Sequence, residues 1–356
     1  MIILALLVVK DVFKSFDIKS IAAVDHLSFS IQNNEIVSVI GPSGTGKSTI
    51  VKIISGLLDF QSGSVLFAGK ELVTHQSKNE SLLRKISYVP QELSLDESKT
   101  VLENIGINLV EENEEKRHHL IRDMVETFGL QYKDHKFPSE LSTGQKGRVE
   151  MAKALVTNPK LLILDEPFAN LDRSLRNELK EELLEILKER KISAIVVTHD
   201  LEDAYSHSDR ILVLSDGKIK QFSGASDIYL RPHDAWVAKF SGTANLMAGK
   251  VLEVNGDDYL QENKLGKFSL RCFDSKVKKE SFAYMLIRPE ACIISENGSF
   301  KGKLKKLVHM GSFYEGQVQM GGIEKFKILI NHGQKFKVGQ SLRFDIDSSQ
   351  CQLLSI

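Results

Sequence analysis

The sequence is poor in the features that define disulfide-rich, zinc-binding and nucleic-acid-binding chains. Its 356 residues include only three cysteines, Cys272, Cys292 and Cys351, which lie far apart and form no C-x-x-C motif. This pattern favours free thiols in a reducing compartment. Lysine plus arginine and aspartate plus glutamate number 47 each, so the chain lacks the excess positive charge that usually accompanies nucleic-acid binding.

Long hydrophobic runs are also missing. No apolar stretch approaches the ~20 residues of a membrane-spanning helix. Residues 1–9 are all apolar, but they lack the basic start and small-residue cleavage site of a signal peptide. We therefore predict a buried first strand and a soluble chain that can still sit on a membrane through a partner. With 42% hydrophobic and 26% charged residues, the composition is that of a globular protein, and the length suggests at least two domains.

Residues 1 to about 225 alternate short apolar runs with helical patterns. The runs 36–40, 161–164 and 192–197 predict buried strands of a largely parallel sheet. Ser215-Asp216-Gly217-Lys218 predicts a hairpin turn between strands 210–214 and 219–222. Two helices are predicted by apolar spacing, one from Ile50, Ile53, Ile54 and Leu57, the other from Leu175, Leu179, Leu183, Ile186 and Leu187 after a cap at Asp172.

Residues 245–356 show a different pattern. Short alternating stretches are broken by turn pairs such as Asn255-Gly256 and Gly321-Gly322, and no long helical period appears. This predicts a small all-β barrel or sandwich. We expect a first domain over 1–225, a linker over 226–244 that is helical in places, and the β domain over 245–356.

A glycine-rich segment between a predicted strand and helix matches G-x-x-x-x-G-K-[ST], the phosphate-binding loop. Its glycines let backbone N–H groups turn towards phosphate oxygens, and the following helix directs its positive end at the same anion. We expect Lys47 to reach the β- and γ-phosphates and Ser48 to ligate magnesium. The predicted nucleotide-binding residues here are Gly41, Pro42, Ser43, Gly44, Thr45, Gly46, Lys47, Ser48 and Thr49.

Two acidic residues follow the apolar run 161–164. Acids at the carboxyl end of a strand, beside a phosphate loop, suit magnesium and water. Asp165 is placed to hold the metal through water, and Glu166 to activate or orient the attacking water. The alternative is a pair of exposed acids at a strand end.

Leu141-Ser142-Thr143-Gly144-Gln145 resembles the L-S-G-G-Q signature of the ATP-binding-cassette (ABC) family. Further family motifs follow the expected order. Gln91 in Tyr-Val-Pro-Gln resembles the Q-loop glutamine, residues 169–172 resemble the D-loop, and His199 resembles the switch histidine. Phe16 stands where the family has an aromatic residue that stacks on adenine. Each match is weak alone, but their joint order across about 200 residues is specific.

The resemblance implies an α/β P-loop NTPase cassette with a helical subdomain at about 92–158, which uses ATP and Mg²⁺. It gives Gln91 a role with metal and water, and His199 a hydrogen bond to the γ-phosphate. With Lys47 and Glu166, these would be the catalytic residues. It also places Ser142, Gly144, Gln145 and Asp172 at the nucleotide. The sequence departs from the family at Thr143 and at Asn34, where glycine is usual, but neither change removes a catalytic group.

The tail resembles the accessory TOBE-like barrel, of OB type, of importer cassettes, through residues 240–251 and Ile287-Arg288-Pro289-Glu290. This points to bacterial importers of the iron(III), polyamine, sulfate, molybdate and sugar group. Such a subunit would act as a head-to-tail homodimer on the cytoplasmic face of the inner membrane. It would drive integral permease subunits and work indirectly with an extracytoplasmic solute-binding protein. The barrel would hold the cassettes together, or sense a ligand or regulator.

Two other classes of cassette protein fit the sequence less well. The first is a soluble ABC ATPase acting on nucleic acid or ribosomes. Such proteins usually carry two cassettes or a long coiled-coil insertion, and the roughly 100 residues between Gly41 and Leu141 leave room only for a small helical subdomain. We therefore expect no nucleic-acid partner. The second is an exporter cassette, which the importer-like tail disfavours.

Overall fold

The computed structural model describes residues 5–17, 21–74, 76–110, 113–167, 172–272 and 277–356. Its strands, in chain order, are β1 (Leu7–Lys14), β2 (Val24–Ile31), β3 (Ile36–Ile40), β4 (Ser62–Phe67), β5 (Lys70–Thr74), β6 (Ile86–Val89), β7 (Leu161–Asp165), β8 (Ser193–Val197), β9 (Arg210–Ser215), β10 (Lys218–Gly224), β11 (Asn245–Asn255), β12 (Asp258–Asn263), β13 (Gly266–Cys272), β14 (Phe282–Ile287), β15 (Cys292–Ile294), β16 (Phe300–His309), β17 (Tyr314–Met320), β18 (Ile323–Ile330), β19 (Ser341–Ile346) and β20 (Gln352–Ser355).

The helices lie mostly between the strands of the N-terminal part. They are α1 (Lys47–Ile54), α2 (Glu80–Leu83), α3 (Val101–Ile105), α4 (Glu114–Thr127), α5 (Thr143–Leu155), α6 (Arg173–Arg190), α7 (Leu201–His207), α8 (Ala225–Leu230) and α9 (Ala235–Phe240). The chain divides into two units, Met1–Ala225 and Ser226–Ile356. We call them the cassette unit and the C-terminal unit.

The cassette unit contains two sheets. An antiparallel sheet has the order β2-β1-β4-β5, and a six-stranded sheet has the order β10-β9-β3-β8-β7-β6. In the second sheet β9, β3, β8, β7 and β6 run parallel, and β10 is antiparallel to β9. Every residue of β3 and β7 is buried, which explains their nearly unbroken apolar sequences. The three predicted parallel strands and the predicted hairpin are confirmed.

The two predicted helices differ in how far the apolar spacing holds. In α6 the spacing is correct, and Asp172 caps the helix by accepting a hydrogen bond from the Leu175 amide at 3.1 Å. In α1 the inclusion of Leu57 was wrong. The helix ends at Ile54, Gly56 follows with φ +71°, and Leu57 is exposed. A left-handed glycine after the last turn ends the helical period, so Leu57 lies off the buried face.

The helices α3, α4 and α5 bury an apolar cluster that continues onto one face of the parallel sheet. Phe128, Val149 and Leu155 are central members, and Leu179 and Leu183 of α6 pack into the same cluster. The buried side chain of Asn104 donates to the carbonyls of Asp96, Lys99 and Thr100, and so ties the segment before α3 to that helix. This small helical region connects the Gln91 loop to the helix that begins after Ser142.

The C-terminal unit is built from strands, as the alternating pattern predicted. Five strands form a closed barrel in the order β11-β12-β13-β20-β14, and five form a sheet in the order β15-β19-β16-β17-β18. One apolar cluster, with Phe326, Phe344 and Met285 fully buried, includes residues of both. The three cysteines are buried in this unit as thiols and form no disulfide.

Residues 226–244 are grouped with the C-terminal unit and contain the helix α9 and most of α8. Arg288, only 3% exposed, donates to the carbonyls of Tyr229, Ala238 and Thr243 at 2.7 to 3.0 Å. Its guanidinium also lies 3.9 Å from the centre of the Tyr229 ring, and the Tyr229 hydroxyl donates to Glu290 at 2.7 Å. The Arg-Pro-Glu element of the sequence therefore holds residues 229–243 against the strands.

None of the helices in the described residues combines the length and the apolar character needed to cross a membrane.

Candidate functional site

The predicted chemical residues follow the carboxyl ends of four parallel strands. The phosphate loop follows β3, Gln91 follows β6, Asp165 and Glu166 end β7, and His199 follows β8. Because these strands are parallel and adjacent in the order β3-β8-β7-β6, their carboxyl ends meet at one edge of the sheet. Ligands of open α/β sheets bind at such an edge.

The phosphate loop has the backbone geometry that an anion site needs. Gly46 occupies the N-cap of α1 with φ +94°, and a Cβ there would lie 1.9 Å from the Ala23 carbonyl oxygen. Only glycine fits that close approach. Since glycine has no side chain, it cannot cap the first amides of α1, which stay available to an anion. The preceding residues Pro42, Ser43 and Gly44 are exposed, whereas Gly41 and Thr45 are buried.

Lys47 is held inside this loop. Its Nζ donates to the carbonyl oxygens of Gly41 at 3.0 Å and Pro42 at 2.8 Å, and the residue is 7% exposed. Burial lowers the pKa of Lys47, and the carboxylates of Glu166 and Asp165 oppose that shift. The folded chain thus keeps an amine in a poorly solvated position, where a phosphate would supply the missing counter-charge.

Asp165 links the phosphate loop to β6 through its two carboxylate oxygens. Ser48 Oγ donates to Oδ1 at 3.0 Å, and the Tyr88 hydroxyl donates to Oδ2 at 3.1 Å. Asp165 is 2% exposed. Burial, and then the charge of Asp165, raises the pKa of Tyr88 far above its ordinary value, so the phenol keeps its proton. The Ser48 oxygen and the carboxylate form the hard oxygen donor set that Mg²⁺ prefers.

Glu166 occupies the centre of a second set of contacts. Gln91 Nε2 donates to Glu166 Oε2 at 3.3 Å, and His199 Nδ1 lies 3.4 Å from the same oxygen. Glu166 has a left-handed backbone, with φ +51°, which is unusual for a residue other than glycine. Its amide donates to the Val197 carbonyl of β8 at 3.1 Å. These contacts place a carboxylate, an imidazole and an amide side chain together beside Lys47 and Asp165.

The residues of the predicted signature motif, 141–145, lie at the start of α5. Ser142 caps α5 by accepting from the Gln145 amide at 3.3 Å, while the Gln145 side chain accepts from the Ser142 amide at 3.1 Å. Ser142 and Thr143 are exposed. Gly144 is buried, and a Cβ there would lie 2.5 Å from the Leu175 side chain. Gly144 therefore packs closely against Leu175 of α6, a contact that the motif alone does not indicate.

The remaining sequence-predicted residues are Phe16, the residues of the D-loop and Thr49. Phe16 is 66% exposed just beyond β1, with the Lys14 ammonium 5.1 Å from its ring centre, so the ring is open to a stacking partner. Of the predicted D-loop, residues 169–171 lie outside the described residues, and Asp172 is the cap of α6. Thr49 lies half-buried in the first turn of α1.

One residue of the site and one backbone conformation outside it were missed by sequence reasoning. The Tyr88 hydroxyl was not singled out, because a tyrosine in an apolar strand carries no signal for a carboxylate 77 positions away. At Asn34, φ is +60°, which explains why glycine is usual there and why asparagine is tolerated. The first feature adds a residue to the site, and the second shows that the departure at Asn34 preserves the backbone.

The chain resembles known protein families in both of its units. The family model described as "ABC transporter" matches residues 24–169, and the model described as "TOBE domain" matches residues 285–354. The chain is 36% identical over 301 residues to the spermidine/putrescine import ATP-binding protein PotA of Mycoplasma capricolum, covering 82% of each chain. It is 31% identical to the Fe(3+) ions import ATP-binding protein FbpC of Pasteurella multocida, covering 89% of this chain and 88% of that one.

A solved structure shows the same cassette. The structure of cbiO1 from Clostridium perfringens, part of the ABC transporter complex cbiONQ, has a TM-score of 0.57 and 27% identity. It covers 63% of this chain and 90% of its own. The predicted fold, an ABC cassette with a C-terminal all-β domain, is confirmed. These three relatives are importer subunits or transporter components, and they give no support to a nucleic-acid-acting ATPase.

Proposed function

The chain belongs to the ABC transporter family, as the ATP-hydrolysing subunit of an importer, and on that premise we propose which of its residues bind and cleave ATP. The proposal is carried by one observation, the convergence of Lys47, Asp165, Glu166, Gln91 and His199 at the carboxyl edge of the parallel sheet. These five side chains come from four different strand ends, so the fold and not the local sequence brings them together.

The phosphates of ATP bind the loop 41–48 at the start of α1. Lys47 exchanges the Gly41 and Pro42 carbonyls for phosphate oxygens, which relieves the cost of its burial. Mg²⁺ fits the oxygen donors of Ser48 and Asp165, with Gln91 near, and when bound it neutralises charge on the β- and γ-phosphates. Phe16 stacks on adenine, with Lys14 beside its ring.

Glu166 orients or deprotonates the attacking water, and His199 donates a hydrogen bond to the γ-phosphate. Their present contact at 3.4 Å, with Gln91 on the same carboxylate, keeps both groups next to the site before nucleotide arrives. The positive φ of Glu166 supports this role, because strained backbone tends to persist where it directs a functional side chain.

The complete site requires a second copy of the chain. Ser142 and Gln145 bond to each other, and Ser142 is exposed at the start of α5, where it can meet a phosphate bound to another cassette. We therefore assign Ser142, Gly144, Gln145 and Asp172 to the partner's nucleotide in a head-to-tail homodimer. Permease subunits, with an extracytoplasmic solute-binding protein acting through them, complete the importer. The subunit works at the cytoplasmic face of the inner membrane.

The test is Glu166→Gln, which keeps the shape of the side chain and removes the charge. ATP binding should survive, while hydrolysis falls by at least about 100-fold through loss of the base or water-orienting group. The blocked protein should accumulate as an ATP-bound dimer, measured by light scattering with Mg²⁺ and ATP.

The matched control is Glu181→Gln, the same change on the exposed face of α6. It should hydrolyse ATP at the wild-type rate and form no trapped dimer. If Glu166→Gln keeps wild-type turnover, Glu166 is not the catalytic carboxylate. If it binds ATP but stays monomeric, the head-to-tail arrangement is wrong.

A further inference from the structure

The hydroxyl of Tyr88 is the group at the site to which the motifs assign no role. Tyr88 lies in β6, the edge strand beside β7, and its main chain pairs with Ile163. From there its side chain reaches the last residue of β7, where its hydroxyl donates to Asp165 Oδ2 at 3.1 Å. The ring packs against the apolar cluster that contains Ile50, Ile53 and Ile163, so the hydroxyl is presented from a supported position.

This hydrogen bond supplies a donor to the Asp165 carboxylate, which is nearly inaccessible to solvent. Asp165 is 2% exposed, and its other oxygen accepts from Ser48. Because the Ser48 proton points to Asp165, the lone pairs of the Ser48 oxygen stay available to a cation. Without the phenol, Oδ2 would lose a donor in a place that water scarcely reaches, and the carboxylate would be free to rotate about its Cβ–Cγ bond.

We propose that Tyr88 is a positioning residue for magnesium, whose hydroxyl fixes the orientation of the Asp165 carboxylate and so sets the affinity of the ATP-bound site for the metal. The inference rests on the proposed function, because it takes Asp165 as a metal-binding residue. It gives Tyr88 no part in binding ATP alone, since the phenol contacts the carboxylate and not the phosphate loop.

The same short segment also contacts the neighbouring carboxylate. Gln91, three residues after Tyr88, donates to Glu166 at 3.3 Å. A shift of residues 88–91 would therefore alter both the metal-side carboxylate and the water-side carboxylate at once. Tyr88 is the anchored end of this segment, because β6 is hydrogen-bonded to β7, whereas Gln91 is exposed in the loop that follows.

The experiment compares Tyr88→Phe with the wild type in two binding titrations. In EDTA, a fluorescent ATP analogue measures nucleotide affinity without metal, and we expect the two proteins to agree within about twofold. With a non-hydrolysable ATP analogue kept fully bound by excess protein, Mn²⁺ binding is followed by EPR of the free ion. We expect its dissociation constant to rise about tenfold, the lower end of what loss of a partner behind a metal-binding residue costs. The Mg²⁺ concentration for half-maximal hydrolysis should rise by the same factor.

Tyr132→Phe removes the same atom from a side chain that is 96% exposed, and it should change neither titration. Unchanged Mn²⁺ affinity in Tyr88→Phe would overturn the proposal. Equal losses with and without metal would also overturn it, because they would indicate a purely structural role of Tyr88 in β6. If the wild type itself shows no metal-dependent ATP binding or hydrolysis, the proposed function fails instead, whatever Tyr88→Phe does.

Discussion

Both units of the molecule bury polar side chains, but they use them differently. In the C-terminal unit, buried Asn245, Gln261 and Arg288 donate to backbone carbonyls and join segments that are distant in the sequence. In the cassette unit, buried Lys47 and Asp165 lie at the carboxyl edge of the parallel sheet, where Asp165 accepts from Tyr88 and Lys47 interacts electrostatically with Glu166 and Asp165. The first arrangement stabilises a fold, and the second places reactive groups at an edge where a ligand can enter.

The cassette unit contains both kinds of buried polar group. Glu35, at the amino end of β3, pairs with Arg210, and Asn104 donates to three carbonyls in the segment before α3. These residues resemble Arg288 in function, since each crosslinks two segments. A buried charge is therefore not by itself a sign of catalysis. What distinguishes Lys47 is that burial depresses its pKa while its backbone acceptors belong to a loop shaped for phosphate.

Lys47→Ala tests the role of the buried lysine in the cassette unit. Among the proposed substitutions, it should cause the largest change in ATP affinity. ATP affinity should fall about 100-fold, because a charge-assisted contact to the phosphates is lost from a poorly solvated site. The apo protein should lose little stability, since the burial that lowers the pKa of Lys47 also makes its charge costly in the folded state. Equilibrium nucleotide binding and thermal unfolding of the same samples measure both. Wild-type affinity would overturn the phosphate-loop assignment.

Arg288→Ala is the counterpart in the C-terminal unit. It leaves the carbonyls of Tyr229, Ala238 and Thr243 without their buried donor, so local stability should fall by about 2 kcal/mol. Hydrogen–deuterium exchange of residues 226–244 in the full chain should accelerate about 30-fold, the factor that this free energy implies. ATP affinity should stay within about twofold of the wild type. Loss of ATP binding with unchanged exchange would reverse the roles that we assign to the two kinds of buried polar group.

The parts of the site that the sequence predicts are those whose residues lie together in contiguous motifs. Residues 36–54 carry strand, turn and helix signals in succession, and the apolar run 161–164 followed by two acids marks the carboxyl end of a buried strand. The strand order β3-β8-β7-β6, in contrast, follows from packing across the sheet, and no local pattern specifies it. Tyr88 was missed for this reason, since its contact depends on β6 lying beside β7.

Sequence patterns predicted the fold to a similar extent. The predictions of the fold that were wrong or missing have similar causes. Continuous apolar runs marked the buried parallel strands, and Asp216-Gly217 marked the hairpin through the positive φ values that its turn needs. Leu57 was wrongly placed in α1, because spacing alone does not register that Gly56 ends the helix. The contacts of Arg288 with residues 229–243 join positions about 45 to 59 apart in the chain, which periodicity cannot detect.

Removing the C-terminal unit entirely should also leave ATP binding nearly unchanged. The unit begins at Ser226 and has its own buried core, so a 1–225 fragment ends after β10 without cutting through the Arg288 contacts. Every residue assigned to nucleotide lies before that point, and ATP affinity should therefore stay within about threefold of the full chain.

If the C-terminal unit holds two cassettes together between turnovers, the fragment should dissociate to monomers after hydrolysis at concentrations where the full chain remains dimeric. Sedimentation velocity with ATP and then ADP measures this. A folded fragment that cannot bind ATP would show that the C-terminal unit completes the site. One that dimerises as tightly as the parent would remove the dimer-holding role and leave the sensing of a ligand or regulator as its function.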